Sequence, residues 1–316
     1  MNVIDQILNH PLLIEKPIVL IDIGASGGTN KVWKRIASKS ICIAFDADTR
    51  ELKFEEKESS FFKKLYIINA IVSDSEADTN TFNLTKSPFC SSLLMPNYLE
   101  LDDYFYRDSF TVEKQIELKT ITINQALKNL NIDYLDWFKT DSQGTDLRIY
   151  NSISEAIHSK ITVAEFEPGI INAYKNEDML FDVIRTFKEN NQFYCESCVI
   201  KGSARIKKDI LDEVTKSNFF QKVLKHSLPQ DAGWAEIRYL RKYQNVSGLR
   251  NVLVNYVFSI VLGQYGNALS ICRNMGDGIE NSLKNKMEKF ALSQIKKSVY
   301  SKEFLRVVIN KLFNRF

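Results

Sequence analysis

Apolar strand-like runs that alternate with helical segments predict an α/β fold with a mostly parallel sheet. The first run, Ile18-Val-Leu-Ile-Asp-Ile23, is continuous, rich in β-branched residues and bounded by Pro17 and Gly24, as a strand buried on both faces should be. Similar runs recur at 41–45, 65–72, 135–140 and 161–166. Segments of helical character lie between them at 30–38, 49–58, 123–131 and 146–158, and this alternation implies right-handed βαβ units.

The segment 74–118 breaks the alternation with a short strand at 81–84, a polar Ser/Pro/Cys stretch and the aromatics Tyr98, Tyr104, Phe105, Tyr106 and Phe110. Loops of such length inside a compact domain usually serve a ligand, so it is expected to be part of a lid. The alternative is a surface insertion that covers a sheet edge. After Ser203 the pattern turns mainly helical, at 208–216, 235–243, 249–263 and 281–297. In a last helix Phe304, Leu305, Val308, Ile309, Leu312, Phe313 and Phe316 recur three and four apart, with Lys302, Arg306, Lys311 and Arg315 off that stripe. The expected division is an α/β domain over 1–203 and a helical region over 204–316, ending in a basic amphipathic helix.

Composition bounds the class. With 44% hydrophobic and 26% charged residues among 316, the chain is an ordinary globular one, which excludes collagen-like repeats and wholesale disorder. The net charge of +3 is unevenly spread: 284–316 holds nine basic and two acidic residues, leaving about −4 for the rest. A basic tail on a mildly acidic body suits an anionic surface or a second subunit. Cys42, Cys90, Cys195, Cys198 and Cys272 are odd in number and scattered, as in a reducing compartment. The start has no basic and apolar leader pattern. The longest apolar stretch, 252–263, is well short of the roughly 20 residues that cross a bilayer. A cytoplasmic protein is expected, peripheral at the inner membrane surface if the tail meets lipid.

The chemistry gathers at strand ends. Asp22-Ile-Gly-Ala-Ser-Gly-Gly28 follows the first strand, and glycines there let a ligand approach the backbone while the next helix start offers free amides. The spacing Gly24-x-x-Gly27-Gly28 is not the G-x-G-x-x-G of a pyrophosphate site. Asp22 at the strand end would repel phosphate and attract the cationic parts of S-adenosylmethionine. The second strand ends in Ala44-Phe-Asp-Ala-Asp48, where the Asp46 carboxylate could accept hydrogen bonds from both hydroxyls of a ribose; Asp48 is the better helix cap. The expected cofactor contacts are therefore Asp22, Gly24, Ala25, Ser26, Gly27, Asp46 and Ala47.

Four stretches resemble the FkbM-type methyltransferases: Val19-Leu-Ile-Asp-Ile-Gly-Ala-Ser-Gly27, Ala44-Phe-Asp-Ala-Asp48, Ser91-Ser-Leu-Leu94 and Asp136-Trp-Phe-Lys-Thr-Asp-Ser-Gln-Gly-Thr-Asp146. The similarity spans about residues 15–200. Lys139, Asp141, Gln143 and Gly144 match the family's last motif, whereas Thr140, Ser142 and Asp146 stand where it favours apolar, apolar and Glu. The resemblance implies a Rossmann-like seven-stranded sheet, S-adenosyl-L-methionine as cofactor, and methyl transfer to an oxygen, often a hydroxyl of a sugar, a lipid-linked glycan or a secondary metabolite.

The acceptor must line up behind the methyl carbon and lose its proton. Ligands bind at the carboxyl ends of strands in open α/β sheets, which makes Asp141, Glu165 and Glu167 candidates to take it, with Lys139 beside them in the motif. Glu165 and Glu167 share a strand face and could hold a divalent cation with Asp141, or Glu167 could merely cap a helix near Pro168. Of three histidines, His10 lies outside the core, His158 ends a helix, and His226 sits in a segment that could fold over the site. Cys195 and Cys198 have half a zinc site's spacing, better explained by strand alternation. Trp33, Trp137 and Trp234 read as core, and the aromatics of 98–110 could stack on a sugar ring.

A nicotinamide dehydrogenase would need the pyrophosphate loop that is missing. An N-methyltransferase on nucleic-acid amines would show Asn/Asp-Pro-Pro-aromatic where Asp141-Ser-Gln-Gly144 stands, so no nucleic-acid partner is expected. The alternatives are an N-methyltransferase on another acceptor and a binding protein that has kept the fold and lost activity. The last helix is expected either to pack on the body or a second copy, or to touch a membrane.

Overall fold

The computed structural model describes residues 3–24, 30–45, 54–57, 59, 61–276, 278–300 and 302–313. The chain is mixed α/β and divides into two compact units: one of Val19–Thr29 with Ser40–Leu240, the other of Met1–Ile18, Asn30–Lys39 and Arg241–Phe316. This differs from a division at 203/204. Two long strands after residue 190 belong with the sheet, and the first helices group with the later helical segments.

Eleven strands are described: β1 Ile18–Ile23, β2 Ser40–Phe45, β3 Phe54–Lys57, β4 Lys64–Ile68, β5 Ile71–Val72, β6 Thr79–Thr85, β7 Val112–Ile121, β8 Trp137–Thr140, β9 Val163–Phe166, β10 Phe193–Ala204 and β11 Gln230–Arg241. The main sheet has the order β10-β11-β9-β8-β1-β2-β4-β3, seven strands plus the short edge strand β3. The pairs β1·β8, β8·β9 and β2·β4 are parallel, while β11·β9 and β3·β4 are antiparallel. A second, three-stranded sheet has the order β5-β7-β6.

The central strands form because their side chains are apolar on both faces. All six residues of β1 are buried, as are all four of β9. One polar residue fixes their start: Asp136, fully buried, accepts the Val19 N–H at 2.9 Å through Oδ2, while its own N–H donates to the Val19 carbonyl at 3.1 Å. Its carbonyl accepts the N–H groups of Thr162 and Val163, so one residue aligns the entries of β1, β8 and β9. Phe138, Tyr150, Phe166, Phe187 and Tyr239 build an aromatic core, with Phe187 stacked on Tyr239 at 3.9 Å.

Several expected elements are corrected. Residues 235–243, read as helix, lie mostly in β11, where Gly233, Ala235, Ile237 and Tyr239 alternate inward against β9. Of 49–58, also read as helix, the described part is β3, and the rest lies outside the described residues. The run 65–72 is two strands in two sheets, β4 and β5. Segment 30–38 forms 3-10 turns at Lys31–Arg35 and Ala37–Lys39. Segment 146–158 is two short helices, Asp146–Asn151 and Glu155–His158. Helices Asn218–Ser227 and Tyr265–Asn274 went unforeseen. Segment 74–118 is largely the antiparallel pair β6·β7 with a connection between them.

In the other unit, helix Leu249–Val261 is the core element, buried continuously from Leu253 to Ile260. Its polar residues are satisfied: Asn255 Nδ2 donates to the Arg241 carbonyl at 2.9 Å, and the Tyr256 hydroxyl to the Met287 carbonyl at 2.8 Å. Among the described residues no helix is long and apolar enough to cross a membrane.

Candidate functional site

In the first unit β1 lies between β2 and β8, so the chain leaves β1 for one side of the sheet and returns on the other. This is a topological switch point, and in open α/β sheets ligands bind in the crevice outside such strand ends. Gly24, at φ +81°, directly follows β1 there. A Cβ there would stand 2.5 Å from the Asp141 carbonyl oxygen, so only glycine fits. The Gly24 N–H donates to the Phe45 carbonyl at 3.3 Å and the Asp141 N–H to the Ile23 carbonyl at 3.1 Å, which draws the ends of β1, β2 and β8 together. The expected contacts Ala25, Ser26, Gly27, Asp46 and Ala47 lie outside the described residues.

Asp22, Lys139 and Glu165 occupy matching register positions on β1, β8 and β9, and Glu165 faces Arg238 on β11. Lys139 Nζ is 2.7 Å from Asp22 Oδ1. Burial pushes the Lys139 pKa down, but Asp22, Asp141 and Glu165 outweigh it, and the ammonium ends above the usual lysine value. Burial raises Asp22 more than Lys139 lowers it. Asp22 is thus paired within the protein, a correction to its reading as a free carboxylate that attracts a cationic ligand.

Glu165 is likewise occupied. Arg238 donates to its two oxygens at 3.1 and 3.0 Å, and Trp137 Nε1–H to one of them at 3.3 Å. Arg238 also reaches Glu196 at 3.2 Å. Glu165 is thus held by a bidentate guanidinium and an indole N–H. Lys139, tied to Asp22, positions that carboxylate.

Asp141 remains as the candidate that faces the crevice. Gln143 Nε2 donates to Asp141 Oδ1 at 2.6 Å. The Tyr174 hydroxyl lies 3.0 Å from both Gln143 Oε1 and the Cys90 carbonyl oxygen and donates to one of them. Gln143 adopts φ +58° and Gly144 φ +107°; a non-glycine residue held in the left-handed region costs energy and is commonly met at functional sites. Ser92 Oγ, from the Ser91-Ser-Leu-Leu94 stretch, fixes this turn by donating to the Gln143 carbonyl at 2.7 Å.

The three positions that depart from the family pattern form one cluster. Asp146 Oδ1 accepts from Thr140 Oγ1 at 2.7 Å, Ser142 N–H at 2.8 Å and Ser142 Oγ at 2.6 Å. Asp146 and Thr140 are fully buried. Two hydroxyls in place of apolar side chains are matched by the carboxylate that receives them.

Acid accumulates at this end of the sheet. Burial, reinforced by Asp146, pushes Asp141 above the usual carboxylate range, against the pull of Lys139 and Gln143. Burial and the charge of Asp141 push Glu167 up as well. Burial raises Glu177 to about 7, although the N–H groups of Tyr174, Ala173 and Gly169 pull it down. Such carboxylates favour a cationic ligand or hold a proton in its absence. Among the described residues, no group of three or more His, Cys, Asp or Glu is arranged to hold a metal ion.

The aromatics of 98–110 connect to this site. Tyr104 stacks on Tyr106 at 5.0 Å, Tyr106 meets Phe110 at 6.1 Å, and Phe110 meets Tyr174 at 5.5 Å. His226 is exposed at the end of helix Asn218–Ser227, whose Lys225 lies 4.0 Å over the Phe105 ring. His10 caps helix Pro11–Glu15, and His158 packs at 4.5 Å on Tyr150. Cys195 and Cys198 lie three apart in β10, on opposite faces. Trp33 and Trp137 are core, whereas Trp234 is 39% exposed.

Tyr174, Glu177 and Arg238 were not foreseen from the sequence. Arg238 was hidden by the helical reading of 235–243. Tyr174 and Glu177 sit in a loop without periodicity, which Asp178 anchors by accepting from Arg148 Nε at 3.1 Å. No family model, no curated protein and no solved structure matches the chain.

Proposed function

We propose that the chain is an S-adenosylmethionine-dependent O-methyltransferase acting on a hydroxyl of a sugar, glycan or secondary metabolite. The observation that carries this reading is the switch point where Gly24 lies against Asp141, because it gathers buried carboxylates at the ends of the central strands. A Cβ on Gly24 would strike the Asp141 carbonyl oxygen, and burial holds Asp141, Glu167 and Glu177 above the usual carboxylate range, which favours a cationic ligand. The strand order supports it, being compatible with the Rossmann-like sheet that the FkbM resemblance implies.

When bound, S-adenosylmethionine supplies an electrophilic methyl group on a cationic sulfur. Gly24 admits it to the backbone, and Asp46, with Ala25, Ser26, Gly27 and Ala47, would hold its adenosine part. Asp141 and Glu167 take up the acceptor's proton, for which raised pKa values suit them near neutral pH. Gln143 and Tyr174 orient Asp141. The half-buried Tyr106 and Phe110 rings, tilted by 44° to each other, offer apolar surface for a sugar face.

Transfer of an isotopically labelled methyl group to a panel of hydroxyl compounds tests this reading. Asp141→Asn should lower kcat about 10²–10⁴-fold at saturating cofactor. Label recovered on nitrogen, or an unchanged kcat in the variant, would overturn the assignment.

A further inference from the structure

We propose that helix Lys302–Phe313 docks on an anionic lipid surface, lying in the plane of the interface. The helix has an apolar stripe of Phe304, Leu305, Val308, Ile309 and Leu312, each between 37% and 61% exposed. Leaving Leu305, Val308, Ile309 and Leu312 in water is unfavourable, and their surface calls for a partner. Tyr300, just before the helix, is 85% exposed. Tyrosine favours a place where its ring is apolar and its hydroxyl wet.

Charge selects the occupant. The segment 284–316 carries nine basic and two acidic residues. At about 100° per residue, Arg306 falls beyond one edge of the stripe and Lys311 beyond the other. Long basic side chains at both edges can lay their stems on the apolar surface and send their charges to lipid phosphates. A second copy of the helix would set these cations against each other across the contact, which disfavours self-pairing. Nucleic acid would meet the cations and leave the stripe uncovered. A helix of 12 residues is about 18 Å long, too short for a hydrocarbon core of roughly 30 Å, so it lies on the bilayer.

The inference does not depend on the proposed activity, and its test leaves that activity aside. The full chain is sedimented with vesicles of phosphatidylcholine alone or mixed with phosphatidylserine. Binding should require the anionic lipid and decline with salt. Arg306→Gln and Lys311→Gln should each weaken it about fivefold. Ile309→Glu should abolish it, with an unchanged circular-dichroism melting curve to show that the fold is intact. Equal sedimentation with both vesicles, sedimentation with neither, or a dimer that Ile309→Glu dissociates would overturn the proposal.

Discussion

Lys139 Nζ and Asp22 Oδ1 stand 2.7 Å apart across β8 and β1, at one end of a row of alternating charges that continues through Glu165 and Arg238 to Glu196. Each acid is flanked by a base, so the row carries one net negative charge over five strands. Removing one member leaves its neighbour buried and unpaired. Lys139→Met should therefore cost about 3–5 kcal/mol of unfolding free energy. Adding Asp22→Asn should recover part of that loss in a denaturant titration, whereas strictly additive losses would argue that the pair is uncoupled.

The Thr140, Ser142 and Asp146 cluster should behave as a unit. Asp146→Ala strands two hydroxyls and should destabilise by about 1–3 kcal/mol. In a double-mutant cycle with Thr140→Val, a coupling above about 0.5 kcal/mol is expected. A coupling near zero would return these residues to the status of unrelated departures.

Gly24→Ala sets a Cβ against the Asp141 carbonyl oxygen at a positive φ. It should cost about 1–3 kcal/mol of stability, and cofactor affinity should fall at least tenfold because the ends of β1 and β8 must move apart. Tight binding retained by the variant would place the ligand elsewhere.

Glu177 makes a pH prediction. Its folded pKa of about 7 exceeds the ordinary 4.5, so the folded state binds more protons between those values. Its contribution to stability is then most favourable below pH 4.5 and declines as pH rises to about 7. Melting temperatures of Glu177→Gln relative to the parent should rise across that window. A difference flat with pH would show that burial does not perturb this carboxylate.

How much was legible follows from which physics each residue obeys. β1 could be read because a strand buried on both faces needs a nearly continuous apolar run, and Ile18–Ile23 has one broken by Asp22 alone. β11 could not, because Ala235, Ile237 and Tyr239 alternate only over a short stretch among charged neighbours that also suit a helix. The turn from Asp141 to Gly144 was legible as a motif. That Glu165 is consumed by Arg238, 73 residues away, was not, because ion pairing across strands leaves no local signature. The three departures were visible one by one, while their mutual hydrogen bonds exist only once β8 and the following helix are folded.

The central claim is that the crevice at Gly24 and Asp141 binds a cationic methyl donor. Titration calorimetry of the intact protein with S-adenosylmethionine, repeated in buffers of different ionisation enthalpy at pH 7, tests it most directly. The predicted result is saturable one-to-one binding that releases protons, because the sulfonium lowers the raised pKa values of Asp141, Glu167 and Glu177. Absence of binding by folded protein would contradict it.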